Sequence, residues 1–412
     1  MRAPYLLAER DNPLRRHLLV SSVLAKHIPV RPIVARRAGE ALAGEVSLEL
    51  ARLGAADAPI VVVGMAETAT GLSERVAAAL SASWSTHSTR FVDARESAWI
   101  GFEEAHSHGK EHMLLQGAID EEHRHGAALV LVDDEMTTGR TLLHLVAELS
   151  EHCKFKAIVF ASLIDARSAH TRSRLRDDVH PEVPCSAVAL ERLDADELAR
   201  EVETFLGASA KLEGPGSCES RLGAEATDGA LATTLELVQI GSRGPARRRS
   251  AAGRSRVDRA AVLADLGEIA RIASTRLVER GLGPTDKILV LGAEEFQYEA
   301  QLLADALDCA GAFGGIWTSA TTRSPGVVRN VAGYGLRDAV MYTVDPTEPA
   351  DTGRRFAYNV GGVTVGEGAD REAFDAILVC ADATTSALAS GPNSLGAALS
   401  SQTRHLLGVS WC

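Results

Sequence analysis

The segment Val130-Leu-Val-Asp-Asp-Glu-Met-Thr-Thr-Gly-Arg-Thr141 constrains the fold of this chain more than any other. An apolar run, Ala127-Ala-Leu-Val-Leu-Val132, ends at Asp133 and Asp134. A helical pattern then follows, with Leu142, Leu145, Val146 and Leu149 at i, i+3, i+4 and i+7. A second apolar run, Ala157-Ile-Val-Phe-Ala161, leads to Asp165, and an earlier one, Ile60-Val-Val-Val63, ends at Gly64. Such bounded runs fit strands buried on both faces of a parallel sheet. Strand, helix and strand in that order make a βαβ unit whose right-handed crossover lays the helix on one face. The expected fold class is α/β.

The same segment predicts chemistry. The strand delivers Asp133 and Asp134 to its C-terminal end, where open α/β sheets bind ligands. Thr137, Thr138, Gly139, Arg140 and Thr141 form a tight turn that opens the helix. Gly139 allows close backbone approach, and free amides with Thr hydroxyls form a phosphate nest. Two carboxylates beside such a nest repel an anion on their own. They make sense as acceptors for sugar hydroxyls or as partners of a magnesium ion. Taken alone, an acidic pair after a strand is as readily a helix cap or a surface turn.

A chain of 412 residues is long for one core, so two domains are expected. The boundaries read as 1–206 for the first domain, 207–257 for a linker and 258–412 for the second. The linker is rich in Gly, Ser, Ala and Arg and includes Arg247-Arg-Arg-Ser250, which reads as a solvated charge run; Leu235-Glu-Leu-Val-Gln-Ile240 could be one strand inside it. Beyond it the α/β rhythm returns. Val262, Leu266 and Ile269 carry a helical pattern, and Lys287-Ile-Leu-Val-Leu-Gly292, Asp338-Ala-Val-Met-Tyr342 and Ala376-Ile-Leu-Val-Cys380 are strand candidates.

The net charge of -12, from 43 basic and 55 acidic residues, argues against broad nucleic-acid binding. Six cysteines without CxxC spacing give no disulfide framework and no zinc site. No signal peptide and no apolar run of about 18 residues is visible, so no membrane partner is expected and a cytoplasmic location is the default.

Asp133-Asp134 with the small-residue loop after it resembles the phosphoribosyl-pyrophosphate (PRPP) motif of type I phosphoribosyltransferases, orotate phosphoribosyltransferase-like enzymes included. The resemblance implies a parallel sheet flanked by helices, with a hood over the base. It implies that Asp133 and Asp134 hold the ribose hydroxyls, and with them Mg2+, directly or through water. It assigns the 5′-phosphate to residues 137–141. Glu135 departs from the pattern, which usually has an apolar residue there. The turn Gly64-Met-Ala-Glu-Thr-Ala-Thr-Gly71 then corresponds to the pyrophosphate cradle, with Ala66, Glu67 and Thr68 as its candidates; on its own residues it is a Gly-bounded turn, more often structural. Arg90 is a further pyrophosphate candidate, an exposed arginine being the equal alternative. The stretch Glu103-Glu-Ala-His-Ser-His-Gly-Lys-Glu-His112 suggests a mobile loop, in which Lys110 is the catalytic candidate and His108 a weaker one. His106, His108 and His112 also invite a metal reading, but no HExxH pattern supports it. Ser21, Lys26 and His27 could face the base, although a plain helix and its end is the simpler reading.

In the second half, Thr321-Thr-Arg-Ser-Pro325, with Leu291-Gly-Ala-Glu-Glu-Phe-Gln-Tyr298 and Tyr358-Asn-Val360, resembles the TRSP domain. That domain follows a phosphoribosyltransferase domain in proteins of tellurite-resistance-type gene clusters. A second, smaller α/β domain is therefore expected, with Glu294, Glu295, Thr322, Arg323 and Ser324 as site candidates. Hydroxyl and guanidinium donors there suit an anion or carboxylate, and the glutamates an amine, hydroxyls or a cation. Together the resemblances imply a phosphoribosyltransferase using PRPP, Mg2+ and a base-like acceptor in nucleotide-like metabolism, with a homodimer by analogy. The alternative is a PRPP- or nucleotide-binding regulator without turnover. The acceptor is not legible in the sequence.

Overall fold

The computed structural model describes residues 4–10, 15–90, 98–103, 111–115, 118–179, 183–209, 236–240, 259–343, 353–364, 370–382 and 393–411. The chain opens with an antiparallel hairpin, β1 (Tyr5–Glu9) and β2 (His17–Ser21), followed by helix α1 (Pro32–Arg52). Next come β3 (Ile60–Gly64), α2 (Thr70–Ala79), β4 (Trp84–His87) and a second hairpin, β5 (Ala98–Glu103) with β6 (Glu111–Leu115). Then follow β7 (Ala128–Met136), α3 (Arg140–Ser150), β8 (Ala157–Asp165), α4 (Ala169–Asp178), β9 (Cys185–Arg192) and α5 (Ala195–Ser209).

By its contacts the chain divides into two units, and they are not consecutive blocks. The first holds residues 36–201, while residues 4–35 group with 202–251 and 259–412 in the second. The first unit is built on a parallel sheet of order β4-β3-β7-β8-β9. Every residue of β8 is buried, as expected of a strand covered on both faces. The four residues that give α3 its helical pattern, Leu142, Leu145, Val146 and Leu149, are all buried against Leu129, Leu131, Ile158 and Phe160. Each such side chain stabilises by about 1.5–3 kcal/mol. Helix α1 buries Ala38, Leu42, Val46 and Leu50 at four-residue spacing, and Gly39 lets it approach α2 closely: a Cβ there would lie 2.4 Å from Arg75 Cβ.

The strand over β7 is longer than its apolar run. Its ladder to β8 continues through Glu135↔Ile164 and Met136↔Asp165, so both acids belong to the strand itself.

The second unit continues with β10 (Glu236–Ile240), α6 (Arg259–Glu279), β11 (Lys287–Gly292), α7 (Tyr298–Ala310) and β12 (Gly315–Ala320). Two hairpins follow, β13 (Ala339–Thr343) with β14 (Arg354–Tyr358) and β15 (Val363–Thr364) with β16 (Arg371–Glu372). The unit closes with β17 (Ala376–Asp382), α8 (Leu395–Leu399) and β18 (His405–Trp411). Its sheet is parallel, of order β10-β18-β17-β11-β12. Thus β10, set within the Gly/Ser/Arg-rich stretch, is a full sheet member paired to β18. The β1-β2 hairpin packs in this unit. Ala8, Leu18 and Val20 share a small core with Tyr334, Leu336, Phe356 and Tyr358, and Arg329 pairs with Glu9 at 2.8 Å. Residues 22–28 are bends, not the helix that Val20 to Pro29 suggests. No helix among the described residues is long and apolar enough to cross a membrane.

Candidate functional site

Three loops of the first unit leave the same edge of its sheet, after the C-terminal ends of β3, β4 and β7. The first is tied to the third at its root, where the Met65 amide donates to Val132 O at 2.9 Å. The second is tied to the first through the Ser88 amide, which donates to Gly64 O at 2.9 Å. Gly64 is required by packing, since a Cβ there would sit 2.0 Å from Ser73 Oγ. The topology explains the convergence. From β3 the chain moves outward to β4 and then returns to the other side of β3 at β7, which opens a crevice between the two strands.

Asp133 and Asp134 are half-buried at this edge, and the Asp134 amide donates to Asp133 Oδ1 at 2.9 Å. Thr137, Thr138, Gly139 and Thr141 are half-buried and Arg140 is exposed. Gly139 takes φ +73 and precedes the first residue of α3, a left-handed position that glycine adopts without strain. The Arg140 amide meets Thr138 Oγ1 at 3.3 Å. Among the described residues no protein acceptor takes the amides of Thr137, Thr138, Gly139 or Thr141. They stand at the positive end of the α3 dipole. Arg167 donates from Nε and Nη2 to the two carboxylate oxygens of Asp165, each at 2.9 Å, and runs its stem beside Gly139. This buried pair went unread in the sequence beyond Asp165 as a strand end.

Ala66, Glu67 and Thr68 lie in the loop after β3, which precedes α2. The Ala66 amide is already engaged, donating to Ser88 Oγ at 2.9 Å. Of the pyrophosphate candidates, Ala66 therefore contributes a small side chain and not a free amide. Glu67 is buried and Thr68 half-buried. Arg90 reaches the same corner through His112. It donates to Nε2 at 2.9 Å, which leaves the proton on Nδ1 to be donated to Ser88 Oγ at 3.1 Å. One buried imidazole thus links the pyrophosphate candidates Ala66 and Arg90. His112 was grouped with the loop histidines in the sequence, and the structure puts it inside β6. His106, His108 and Lys110 lie outside the described residues.

Among the described residues, one group of three possible metal ligands lies within 4.8 Å, Asp120, Glu122 and His123. It sits on a 3-10 turn over Glu121–His123, where Asp120 caps the turn by accepting from the His123 amide.

In the second unit, Glu294 and Glu295 follow β11 and are buried, while Thr322, Arg323 and Ser324 follow β12. The Glu294 amide donates to Thr321 Oγ1 at 2.8 Å, and its carboxylate pairs with the fully buried Arg355. Lys26, also fully buried, directs Nζ at Glu294 O. Ser324 Oγ accepts from Arg10 at 2.9 Å, and its carbonyl from Tyr358. Arg355 and Lys26 complete this cluster; the sequence offered no local signal for either as a partner of Glu294.

A family profile described as phosphoribosyl transferase matches residues 5–192, and one described as TRSP domain, C-terminal to that transferase domain, matches 252–398. No curated protein sequence matches the chain. Solved structures similar to it include adenine phosphoribosyltransferase from Rhodothermus marinus DSM 4252, at 18% identity over 46% of this chain and 94% of that one, TM-score 0.31. Another is the Trypanosoma brucei adenine enzyme in complex with AMP, pyrophosphate and ribose-5-phosphate, at 14% identity over 46% of this chain and 76% of that one, TM-score 0.31. A third is hypoxanthine phosphoribosyltransferase from Staphylococcus aureus, at 12% identity over 42% and 79%, TM-score 0.24. The two profiles, one after the other along the chain, place it: it belongs to the family in which a phosphoribosyltransferase domain is followed by a TRSP domain.

Proposed function

We propose that the first unit transfers the phosphoribosyl group of PRPP to a nitrogenous base or base-like acceptor and releases pyrophosphate. The observation that carries this reading is the pairing, at one sheet edge, of two half-buried carboxylates with four amides that have no protein acceptor among the described residues. Asp133 and Asp134 accept hydrogen bonds from the ribose hydroxyls. Residues 137–141 donate to the 5′-phosphate, aided by the α3 dipole. Arg90, held by His112, faces the leaving pyrophosphate. Lys110 is the proposed closing residue of the loop before β6.

The C1–O bond breaks, the acceptor nitrogen bonds to C1 from the opposite face, and the nitrogen gives up its proton. The residues named above position the donor and stabilise the departing charge. The half-buried acids are hard oxygen donors, adjacent at one sheet edge. That donor set fits Mg2+, which Asp133 and Asp134 would hold directly or through water and which, when bound, would offset the pyrophosphate charge.

Pyrophosphate release with PRPP, Mg2+ and a panel of purine and pyrimidine bases tests the reading. Release with at least one acceptor is expected. D133N and D134N should each lower kcat/KM by about 5- to 150-fold, equivalent to about 1–3 kcal/mol. Unchanged turnover in D133N/D134N removes these residues from the mechanism. PRPP binding without release under any acceptor points to a sensor instead.

A further inference from the structure

Transfer to a ring nitrogen leaves one proton to be placed. As the nitrogen bonds to C1 its N–H bond breaks, and the phosphate loop, a set of donors, has no room for the hydrogen. Glu135, which departs from the usual apolar residue of the motif, has no part yet in the reaction.

Its position follows from the strand. Successive side chains point to opposite faces, so Asp133 and Glu135 share one face of β7 and Asp134 takes the other. The ladder to β8 keeps a single register from Ala128↔Ala157 to Met136↔Asp165, so no bulge disturbs that alternation. Glu135 is half-buried and lies about 7 Å along the strand from Asp133, towards the loop that opens at Thr137.

The side of the ribose that it serves follows from the sheet order. Strand β7 stands between β3 and β8. The proposed pyrophosphate contacts, in the loop after β3 and at Arg90 after β4, all lie to one side of β7. Attack on the opposite face of C1 therefore brings the acceptor in on the β8 side. The ladder of β7 with β3 ends at Gly64↔Val132, while that with β8 runs on through Glu135↔Ile164. At Glu135 the neighbouring strand is β8.

Other proton acceptors described at this edge are committed elsewhere. Glu67, His87 and His112 stand on the loop after β3, on β4 and on β6, towards the leaving group. The His112 ring is engaged on both nitrogens, by Arg90 and Ser88. Asp165, at the end of β8, is buried with both oxygens on Arg167. Arg167 is thereby matched, and three successive acids at the end of β7 repel an acceptor that carries its own negative charge.

We propose that Glu135 is a catalytic residue that takes the proton of the acceptor nitrogen, and that it restricts the acceptor to an uncharged base whose attacking ring nitrogen carries hydrogen. This rests on the placement of ribose and pyrophosphate in the proposed function. The proton passes from nitrogen to a Glu135 oxygen, the N–H electron pair becomes the N–C1 bond, and the C1–O pair leaves with pyrophosphate. A pyridine-type nitrogen has no such proton to give, and a carboxylate-bearing acceptor meets like charge.

Pyrophosphate release by the full chain with PRPP and Mg2+ tests it. One set of acceptors carries a ring N–H: adenine, hypoxanthine and uracil. The other carries a carboxylate: orotate, nicotinate and anthranilate. Turnover should be confined to the first set. With the base so found, E135Q should lower kcat by about 10²- to 10⁴-fold, the usual worth of a positioned proton acceptor. Its PRPP binding, read by calorimetry, should stay at the wild-type value, which also shows that the variant is folded. Turnover of a carboxylate acceptor overturns the proposal, as does a chain that binds PRPP and turns over none of the N–H bases. So does E135Q with wild-type kcat, or E135Q that no longer binds PRPP. Failure of the underlying reading shows separately, as PRPP binding that D133N/D134N leaves intact.

Discussion

The corner after β3 in the first unit and after β11 in the second separates the two units more sharply than any other part of them. In the first unit it holds Ala66, with its amide on Ser88 and a neutral imidazole, His112, behind it. In the second it holds Glu294, with its amide on Thr321 and a guanidinium, Arg355, behind it. The amide-to-hydroxyl bond is common, and two side-chain differences turn a small neutral corner into an ion pair out of reach of solvent.

The largest effect expected from breaking this contrast is E294A. It leaves Arg355 buried without its carboxylate, which should cost about 3–5 kcal/mol in chemical denaturation of the second unit. E294A/R355H, which installs the first unit's residues, should recover most of that loss. An equally unstable double variant would show that the pair is not the source. Next come the two glycines that close-pack β3 and β11. In G64A the added Cβ meets a serine side chain at 2.0 Å, whereas in G292A it meets the Phe296 carbonyl at 2.4 Å. A side chain turns aside more readily than backbone. Both should destabilise, within about 1–3 kcal/mol, with G292A the worse.

A smaller effect belongs to His112, which positions residues without being placed against substrate. H112A should lower kcat/KM for PRPP by about 1–2 kcal/mol, mostly through kcat, because Arg90 and the Ser88 hydroxyl lose a shared partner. A rise in KM alone would assign it to binding.

The smallest effect is one of pH. Burial, with Arg15 and Arg10 nearby, pulls His17 down to about 4. The folded chain therefore stays neutral there while the unfolded chain takes up a proton below its ordinary value near 6.5. That contribution is complete above about pH 6.5, shrinks as pH falls towards 4, and levels below it. Screening at this partly exposed site leaves about 1 kcal/mol. H17Q should flatten stability across that window; an unchanged slope would place the titration elsewhere.

What could be read beforehand follows from range. The βαβ segment around Asp133 was legible because its periodicity and its turn are local, and the helical pattern from Leu142 to Leu149 is buried as that spacing requires. Strand β7 runs on to Met136 because its partner β8 does, which no local pattern announces. The β1-β2 hairpin belongs with the second unit through contacts such as Glu9 to Arg329, 320 residues apart. His112 and Arg355 gain their meaning from partners 22 and 61 residues away, Arg90 and Glu294. The acids and the loop after them were visible as residues; the network behind each corner was not.

Under the proposed function, one ribose 5-phosphate lies between the acids and the amides of the first unit. A crystal structure of the chain soaked with PRPP and Mg2+ tests it most directly. Ribose hydroxyl oxygens should lie about 3 Å from the carboxylates of Asp133 and Asp134, with the 5′-phosphate on the amides of residues 137–141. PRPP bound elsewhere, or a ribose turned away from both acids, would contradict it.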